Sequence, residues 1–303
     1  MAGRSIAVAA VVGCLALAGC SATGALAPVA AQSSPASPGS SAPTRAPAVP
    51  PLKDVPYAGT DDPRQTLDVC LPAASAVAHS ALLLIHGGGW EYGDKSELGS
   101  LCGSLADAGF AVFDLDYRLA PAVRYPVPLN DVRDALAWVV AHASEYDVDP
   151  ERIGVFGSSA GGHLAVQLAA TGNLDSPTRL KAVVDLSGPV DLTAAGQKKG
   201  EDPRLVRFML ALLGCASLAA CPNAAVASPV DHVAAGDPPV FIVHSQDDFV
   251  PAAQGRELAE RLTAVGTEAT LVVESGGSHA EALLVGHPAL KDRVVAFLRD
   301  HLG

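Results

Sequence analysis

The sequence has 303 residues and a formal net charge of −12, and hydrophobic residues make up 49% of it. Lysine and arginine form no stripe and aromatic residues are only 5% of the chain, which argues against a nucleic-acid-binding surface. We interpret the acidity as a source of solubility outside the cytoplasm rather than as a site for a cationic partner.

The N-terminal residues have the pattern of an export signal. Arg4 gives a short basic start, and the apolar run Ser5–Leu17 is too short to span a bilayer as a helix. The run ends in Leu17-Ala18-Gly19-Cys20, which resembles a bacterial lipobox. The resemblance implies removal of residues 1–19 and lipidation of Cys20, which would anchor the protein to the outer face of the cell membrane. The alternative is an ordinary secretory signal, and either signal exports the protein.

A tether and one domain follow the signal. Residues 20–52 are rich in Ala, Ser and Pro, carry almost no charge and show no apolar period, so we expect a flexible linker. Residues 53–303 have the length of one α/β domain, and they contain no internal repeat and no second linker.

Four cysteines remain once Cys14 is removed with the signal and Cys20 carries lipid. An even number in an exported protein predicts two disulfides. The close spacing of the last two cysteines predicts the pair Cys215–Cys221, and Cys70–Cys102 follows by elimination. Buried free thiols are the alternative. No C-x-x-C or H-x-x-x-H spacing occurs, so we predict no metal site.

Apolar, β-rich runs alternate with helix-length segments, which predicts a mostly parallel sheet with helices on both faces. The predicted strands are Gln65–Leu71, Ala81–His86, Ala111–Tyr117, Arg152–Gly157, Ala182–Leu186, Val240–His244 and Ala269–Glu274. The predicted helices are Ser96–Ala108, Leu129–His142, Ala160–Thr171, Pro203–Leu213, Ala252–Val265 and Pro288–His301. Residues 190–230 interrupt the alternation, and we interpret them as a small cap over the site.

The most informative motif lies between a predicted strand and a predicted helix. It reads Gly157-Ser158-Ser159-Ala160-Gly161, the G-x-S-x-G pattern of a nucleophile elbow. Side chains two residues before and after the serine would collide with neighbouring backbone, so both positions require glycine. The turn would expose the Ser159 hydroxyl and direct the Ala160 N–H toward a developing oxyanion.

A serine nucleophile needs a base, and the base needs an acid that orients it. We predict His279 as the base, because it lies on a glycine-rich loop after the last strand, whereas its rival His287 precedes Pro288 at a helix start. Two adjacent aspartates, Asp247 and Asp248, follow the predicted strand Val240–His244, and one of them is expected to be the acid. Counting back from Val250-Pro251 favours Asp247, and counting forward from His244 favours Asp248. We predict Asp247, and the choice between the two stays open.

The oxyanion donors are predicted in the loop after the strand that ends at Ile85. That loop reads His86-Gly87-Gly88-Gly89-Trp90, and its glycines let backbone N–H groups approach the developing charge closely. We assign Gly88 and Gly89 to this role together with Ala160. A plain glycine-rich turn is the alternative.

Taken together, these motifs resemble the HGGG branch of α/β-hydrolases, and most closely the bacterial acetyl/feruloyl esterases called BD-FAE. The resemblance rests on the oxyanion loop, the elbow, the late Asp/His pair and the segment Asp116-Tyr117-Arg118-Leu119-Ala120-Pro121. It covers about Val55 to Leu302, and it departs from the pattern at Ser245, where such sequences often have glycine. It implies an α/β-hydrolase fold, no metal and no organic cofactor.

The function expected from this reasoning is hydrolysis of small-molecule carboxylic esters through an acyl-enzyme on Ser159. The short cap favours short acyl groups, because a pocket for long chains usually needs a large apolar lid. An amidase or peptidase with the same residues is one alternative, although the sequence reveals no acidic residues placed to hold a substrate amine. A non-catalytic binding lipoprotein is the other alternative.

Overall fold

The computed structural model describes residues 50–73, 76–172, 180–197 and 202–303. The predicted signal peptide, Cys20 and the tether up to residue 49 lie outside the described residues, and these assignments stay predictions. The described chain contains an eight-stranded sheet with the order β1-β2-β4-β3-β5-β6-β7-β8. Its strands are β1 (Leu52–Pro56), β2 (Thr66–Cys70), β3 (His79–Ile85), β4 (Ala111–Leu115), β5 (Val148–Ser158), β6 (Ala182–Leu186), β7 (Val240–Ser245) and β8 (Ala269–Glu274).

Strands β3 to β8 run parallel to one another, and β2 pairs antiparallel with both β1 and β4. The carboxyl ends of the parallel strands therefore meet at one edge of the sheet, where open α/β sheets bind ligands. The helices are α1 (Gly99–Asp107), α2 (Val127–Ala141), α3 (Ala160–Gly172), α4 (Ala194–Gln197), α5 (Pro203–Leu213), α6 (Asn223–Val226), α7 (Ala252–Ala264), α8 (Ala282–Gly286) and α9 (Pro288–Leu302).

Alternation along the strands divides the core into two layers. In β3, Leu83 and Ile85 pack in one layer, and Leu82 and Leu84 pack in the other. Successive side chains of a strand point to opposite faces, and a parallel strand covered on both faces buries both sets. Helices α2, α3 and α7 contribute to the first layer, whereas α1 and α9 contribute to the second. The buried side chains of α2 in this layer are Leu129, Val132, Ala135, Leu136 and Val139.

The sequence missed one strand and several short helices. Strand β1 lies at the sheet edge with most of its residues exposed, so it carries no alternating apolar pattern. Its first residue, Leu52, falls in the predicted tether, and Lys53 is paired with Asp68 on β2. Helices α4, α6 and α8 are each about one turn long, which is too short for a helical period to emerge.

Both predicted disulfides are present. Cys70–Cys102 joins the end of β2 to α1, and Cys215–Cys221 closes a loop after α5. The stretch Pro203–Ala220 has a mean hydropathy of 1.4, within the range of a membrane span. Its helical part, however, ends at Leu213 before the αL residue Gly214, and α5 buries Leu205, Met209 and Leu212 in the first core layer. Core packing therefore accounts for the apolar character of this helix.

Candidate active site

Ser159 occupies a sharp turn between β5 and α3. It has a positive φ of 53°, a conformation that costs energy for any residue with a Cβ. A Cβ on Gly157 would lie 2.1 Å from the Gly161 carbonyl oxygen, and one on Gly161 would lie 2.1 Å from the Ile85 carbonyl oxygen. The Ser159 N–H donates to the Leu186 carbonyl at 2.7 Å, which ties the turn to β6. The glycines are therefore required by close backbone contacts, as the motif predicts.

His279 reaches the serine from the loop after β8. Its Nε2 lies 2.8 Å from Ser159 Oγ, and its Nδ1 lies 2.9 and 2.8 Å from the two carboxylate oxygens of Asp248. The side chain of Asp248 is only 1% exposed, and the ring of Phe249 packs on the imidazole with the ring centroids 4.3 Å apart. A buried carboxylate on Nδ1 directs the lone pair of Nε2 toward the serine hydroxyl. The alternative base, His287, instead lies 3.7 Å from Glu274.

The prediction of Asp247 as the partner of His279 is wrong, because the structure places Asp248 there. Asp247 is exposed, and its backbone N–H donates to the Gly276 carbonyl at 2.9 Å. This bond fixes Asp247 on the outside of the turn, so the next residue faces the imidazole. Counting forward from His244, one of the two open alternatives, identified the right residue.

The glycine-rich loop after β3 lies beside the serine. Gly88 and Gly89 have positive φ angles of 91° and 58°, and a Cβ on Gly88 would lie 2.0 Å from the Tyr92 carbonyl oxygen. The Tyr117 hydroxyl donates to the Gly87 carbonyl at 3.0 Å and supports the loop from the core side. Gly88, Gly89 and Ala160 all line the cavity that contains Ser159. The structure therefore brings the three predicted donors together.

The loop that carries His279 is held by serines at the ends of three neighbouring strands. Ser158, at the end of β5, donates to Glu281 Oε2 at 2.5 Å. Ser187, directly after β6, accepts from the Ala280 N–H at 3.1 Å. Ser245, at the end of β7, donates to the Ser278 carbonyl. All three serines are buried, and Ser245 is the residue that departs from the family pattern.

His163 contacts residues around the site and does not hydrogen-bond to Ser159 through its side chain. Its Nδ1 accepts from the Trp90 indole N–H at 3.2 Å, and its Nε2 donates to the Ala227 carbonyl at 2.7 Å. Burial lowers the pKa of His163 to about 4, so the ring is neutral at physiological pH. His163 thus links α3, the glycine-rich loop and the segment after α6.

The cavity around Ser159 has a volume of about 180 Å³. Leu205 and Phe208 of α5, together with Pro189, Tyr92 and Phe249, form its apolar wall. Two acidic side chains, Glu97 and Glu281, also line it. Burial, and after it the charge of Glu281, raises the pKa of Glu97 above its ordinary value. Sequence reasoning missed this pair because the two residues are far apart along the chain.

A mostly parallel sheet with a serine elbow, a facing histidine and a glycine-rich loop at its carboxyl edge defines an α/β-hydrolase. Residues 67–262 match the family BD-FAE, and the chain belongs to that family. The resemblance predicted from the motifs is therefore confirmed.

Several proteins named as ester hydrolases or esterases are similar to this chain. The chain is 34% identical to the "Probable carboxylic ester hydrolase LipM" of Mycobacterium tuberculosis over 64% of its own length and 47% of that protein. It is 32% identical to "Esterase LipC" of the same organism over 75% of its own length and 59% of the relative. The chain thus spans about half the length of these two relatives.

Solved structures show the same fold. A truncated carbohydrate esterase from gut microbiota superposes with a TM-score of 0.70 at 24% identity, over 84% of this chain and 97% of that one. A thermophilic esterase of the Planctomycetes species Thermogutta terrifontis superposes with a TM-score of 0.62 at 27% identity, over 76% of this chain and 87% of that one.

Proposed function

We propose that the protein is a carboxylic ester hydrolase that acts on short-chain acyl esters. The observation that carries the proposal is the hydrogen-bonded series Ser159, His279 and Asp248 at the edge of a cavity. The similarity to proteins named as ester hydrolases supports the same reaction. A volume of about 180 Å³ lies below the range of pockets for drug-sized ligands, which favours a small acyl group.

In the proposed reaction Ser159 Oγ attacks the ester carbonyl carbon while His279 Nε2 takes the hydroxyl proton. Asp248 holds the imidazolium that results, and the N–H groups of Gly88, Gly89 and Ala160 stabilise the oxyanion. The carbon–oxygen bond to the alcohol then breaks, and the alcohol leaves with the proton from His279. Water attacks the acyl-enzyme, again with His279 as base, and releases the acid and free Ser159.

The experiment is hydrolysis of p-nitrophenyl esters from acetate to palmitate by the full chain and by Ser159→Ala. We expect the highest kcat/KM with acetate or butyrate, and a loss of about 10⁴-fold or more in the variant. Labelling by a fluorophosphonate should require Ser159. A maximum with palmitate would contradict the short-chain proposal, and equal rates in the two proteins would contradict Ser159 as the nucleophile.

Amide hydrolysis by the same residues is the second candidate, and Glu97 and Glu281 are the observation that favours it. Carboxylates beside the nucleophile could hold a substrate amine, the feature that the sequence alone did not reveal. Aminoacyl p-nitroanilides tested beside p-nitrophenyl acetate separate the two reactions. Faster turnover of the anilides, lost in Glu97→Gln, would make the protein an amidase.

A further inference from the structure

A second cavity adjoins the one that contains Ser159. Its volume is about 150 Å³, and it is lined by Glu97, Leu98, Ser100, Leu101, Glu281, Leu284, Val285 and Lys291. Glu97 and Glu281 line both cavities. The two cavities are therefore neighbours that share this pair of carboxylates in their linings.

The lining of the second cavity is mixed, since four of its eight residues are apolar and the other four are polar or charged. Leu98, Leu101 and Leu284 are buried, with 1%, 9% and 6% of their surface exposed. Val285 on α8 is 83% exposed, which makes it the most exposed of the large hydrophobic residues that the structure describes. An exposed apolar side chain beside a hollow lined in part by apolar residues is typical of a ligand-binding groove.

The chemistry of the proposed reaction determines which part of an ester would enter this cavity. The leaving alcohol must lie where its oxygen can take a proton from His279 Nε2. Glu281 follows His279 by two residues, and α8 with Leu284 and Val285 comes directly after it. The oxyanion glycines, by contrast, line only the first cavity. The second cavity thus includes Glu281 and two residues of α8, which follow His279 in the chain, and none of the oxyanion glycines, so we assign it to the leaving alcohol.

We propose that the second cavity binds an apolar group of the substrate alcohol, while the acyl group occupies the first cavity. This proposal rests on the proposed ester hydrolysis. A cavity of about 150 Å³ has room for a benzene ring, and its four apolar lining residues favour an apolar group. The substrate class is therefore short-acyl esters of alcohols with a phenyl group or an alkyl chain of roughly four to six carbons. Each buried methylene contributes about fourfold to binding.

The test compares ethyl acetate with hexyl acetate as substrates of the full chain. The variant is Val285→Trp, which covers the rim, and the matched control is Val77→Trp. Both valines are exposed, at 83% and 71%, but Val77 precedes β3 and lies at the amino-terminal edge of the sheet. Hexyl acetate has four more methylenes than ethyl acetate, so we expect wild type and Val77→Trp to prefer it by roughly 10-fold to 250-fold in kcat/KM, the upper figure applying if all four are buried. Val285→Trp should lose that preference, whereas Val77→Trp should retain it.

A hexyl-to-ethyl ratio that is the same in Val285→Trp and wild type would overturn the proposal, as would the absence of any preference in wild type. Binding of 1-hexanol, measured by calorimetry, tests the cavity without turnover. Weaker binding in Val285→Trp than in Val77→Trp supports the proposal, and equal or undetectable binding in all three proteins overturns it. Failure to hydrolyse either acetate, with hexanol binding intact, would contradict the proposed function instead.

Discussion

The nucleophile elbow and the loops of Asp248 and His279 serve one site but are built in different ways. The elbow is a local structure, because its conformation follows from Gly157, Ser159 and Gly161 and from the strand and helix on either side. The other two loops take their positions from contacts made by residues distant in sequence. A motif can therefore identify each residue of the elbow. The packing of the two loops, by contrast, determines which aspartate contacts His279.

The two regions also differ in the contacts that hold them in place. The elbow packs so closely that a single Cβ at Gly157 or Gly161 would overlap backbone atoms. The histidine loop instead depends on three side-chain hydrogen bonds from Ser158, Ser187 and Ser245. Substitutions should accordingly disrupt the fold in the first region and the alignment of His279 in the second.

The largest effect is expected from substitution of the aspartate that contacts His279. Asp248→Asn should lower kcat for p-nitrophenyl acetate by about 10⁴-fold, because an amide cannot stabilise the imidazolium or fix its tautomer. Asp247→Asn is the matched control, and it should stay within about twofold of wild type because Asp247 is exposed. Steady-state kinetics on the two variants checks this. The reverse order of the two effects would show that the acid loop rearranges.

Substitution of glycine by alanine tests the close packing of the elbow. Gly157→Ala should cost about 4–5 kcal/mol in the free energy of unfolding, or prevent folding, because the new Cβ would lie 2.1 Å from the Gly161 carbonyl oxygen. Gly103→Ala in α1 is the control, since nothing lies within 4 Å of its Cβ position, and it should stabilise the protein by about 1 kcal/mol. Urea unfolding measures both. Equal stabilities would refute the steric argument.

Asp185 beneath the elbow should make stability depend on pH. Burial raises the pKa of Asp185 to about 7, although the Gly188 N–H that donates to it acts in the opposite direction. Between about pH 4 and 7 the folded state therefore holds a proton that the unfolded state has lost, so stability falls as pH rises.

Relative to Asp185→Asn, the wild type should lose roughly 4 kcal/mol of unfolding free energy across this range. The asparagine keeps an oxygen for the Gly188 N–H but does not titrate. Unfolding in urea at a series of pH values gives the difference. Parallel curves for the two proteins would mean that Asp185 is ionised throughout.

The smallest effect is expected from the serines that hold the histidine loop. Ser245→Ala should lower kcat about tenfold and leave KM within about twofold, because the bond to the Ser278 carbonyl is lost and His279 is less well aligned. In a His279→Ala background the same change should have no further effect on the residual rate, since there is no imidazole to align. Equal losses in the two backgrounds would indicate a general structural effect instead.

The sequence alone determined much of this protein. The alternation of strands and helices, the G-x-S-x-G turn, the glycine-rich loop beside Ser159, the histidine and both cysteine pairs could be predicted, because each has a local pattern, a fixed chain order or few possible partners. The edge strand β1 could not be predicted, because an exposed strand carries no apolar alternation.

Only the tertiary structure decided the rest. The selection of Asp248 over Asp247 depends on a backbone bond to Gly276, about thirty residues away. The serines that hold the histidine loop lie at the ends of three strands, and Glu97 and Glu281 line the same cavity although they are 184 positions apart in the sequence. These features arise from long-range contacts, which the order of residues within one segment does not record.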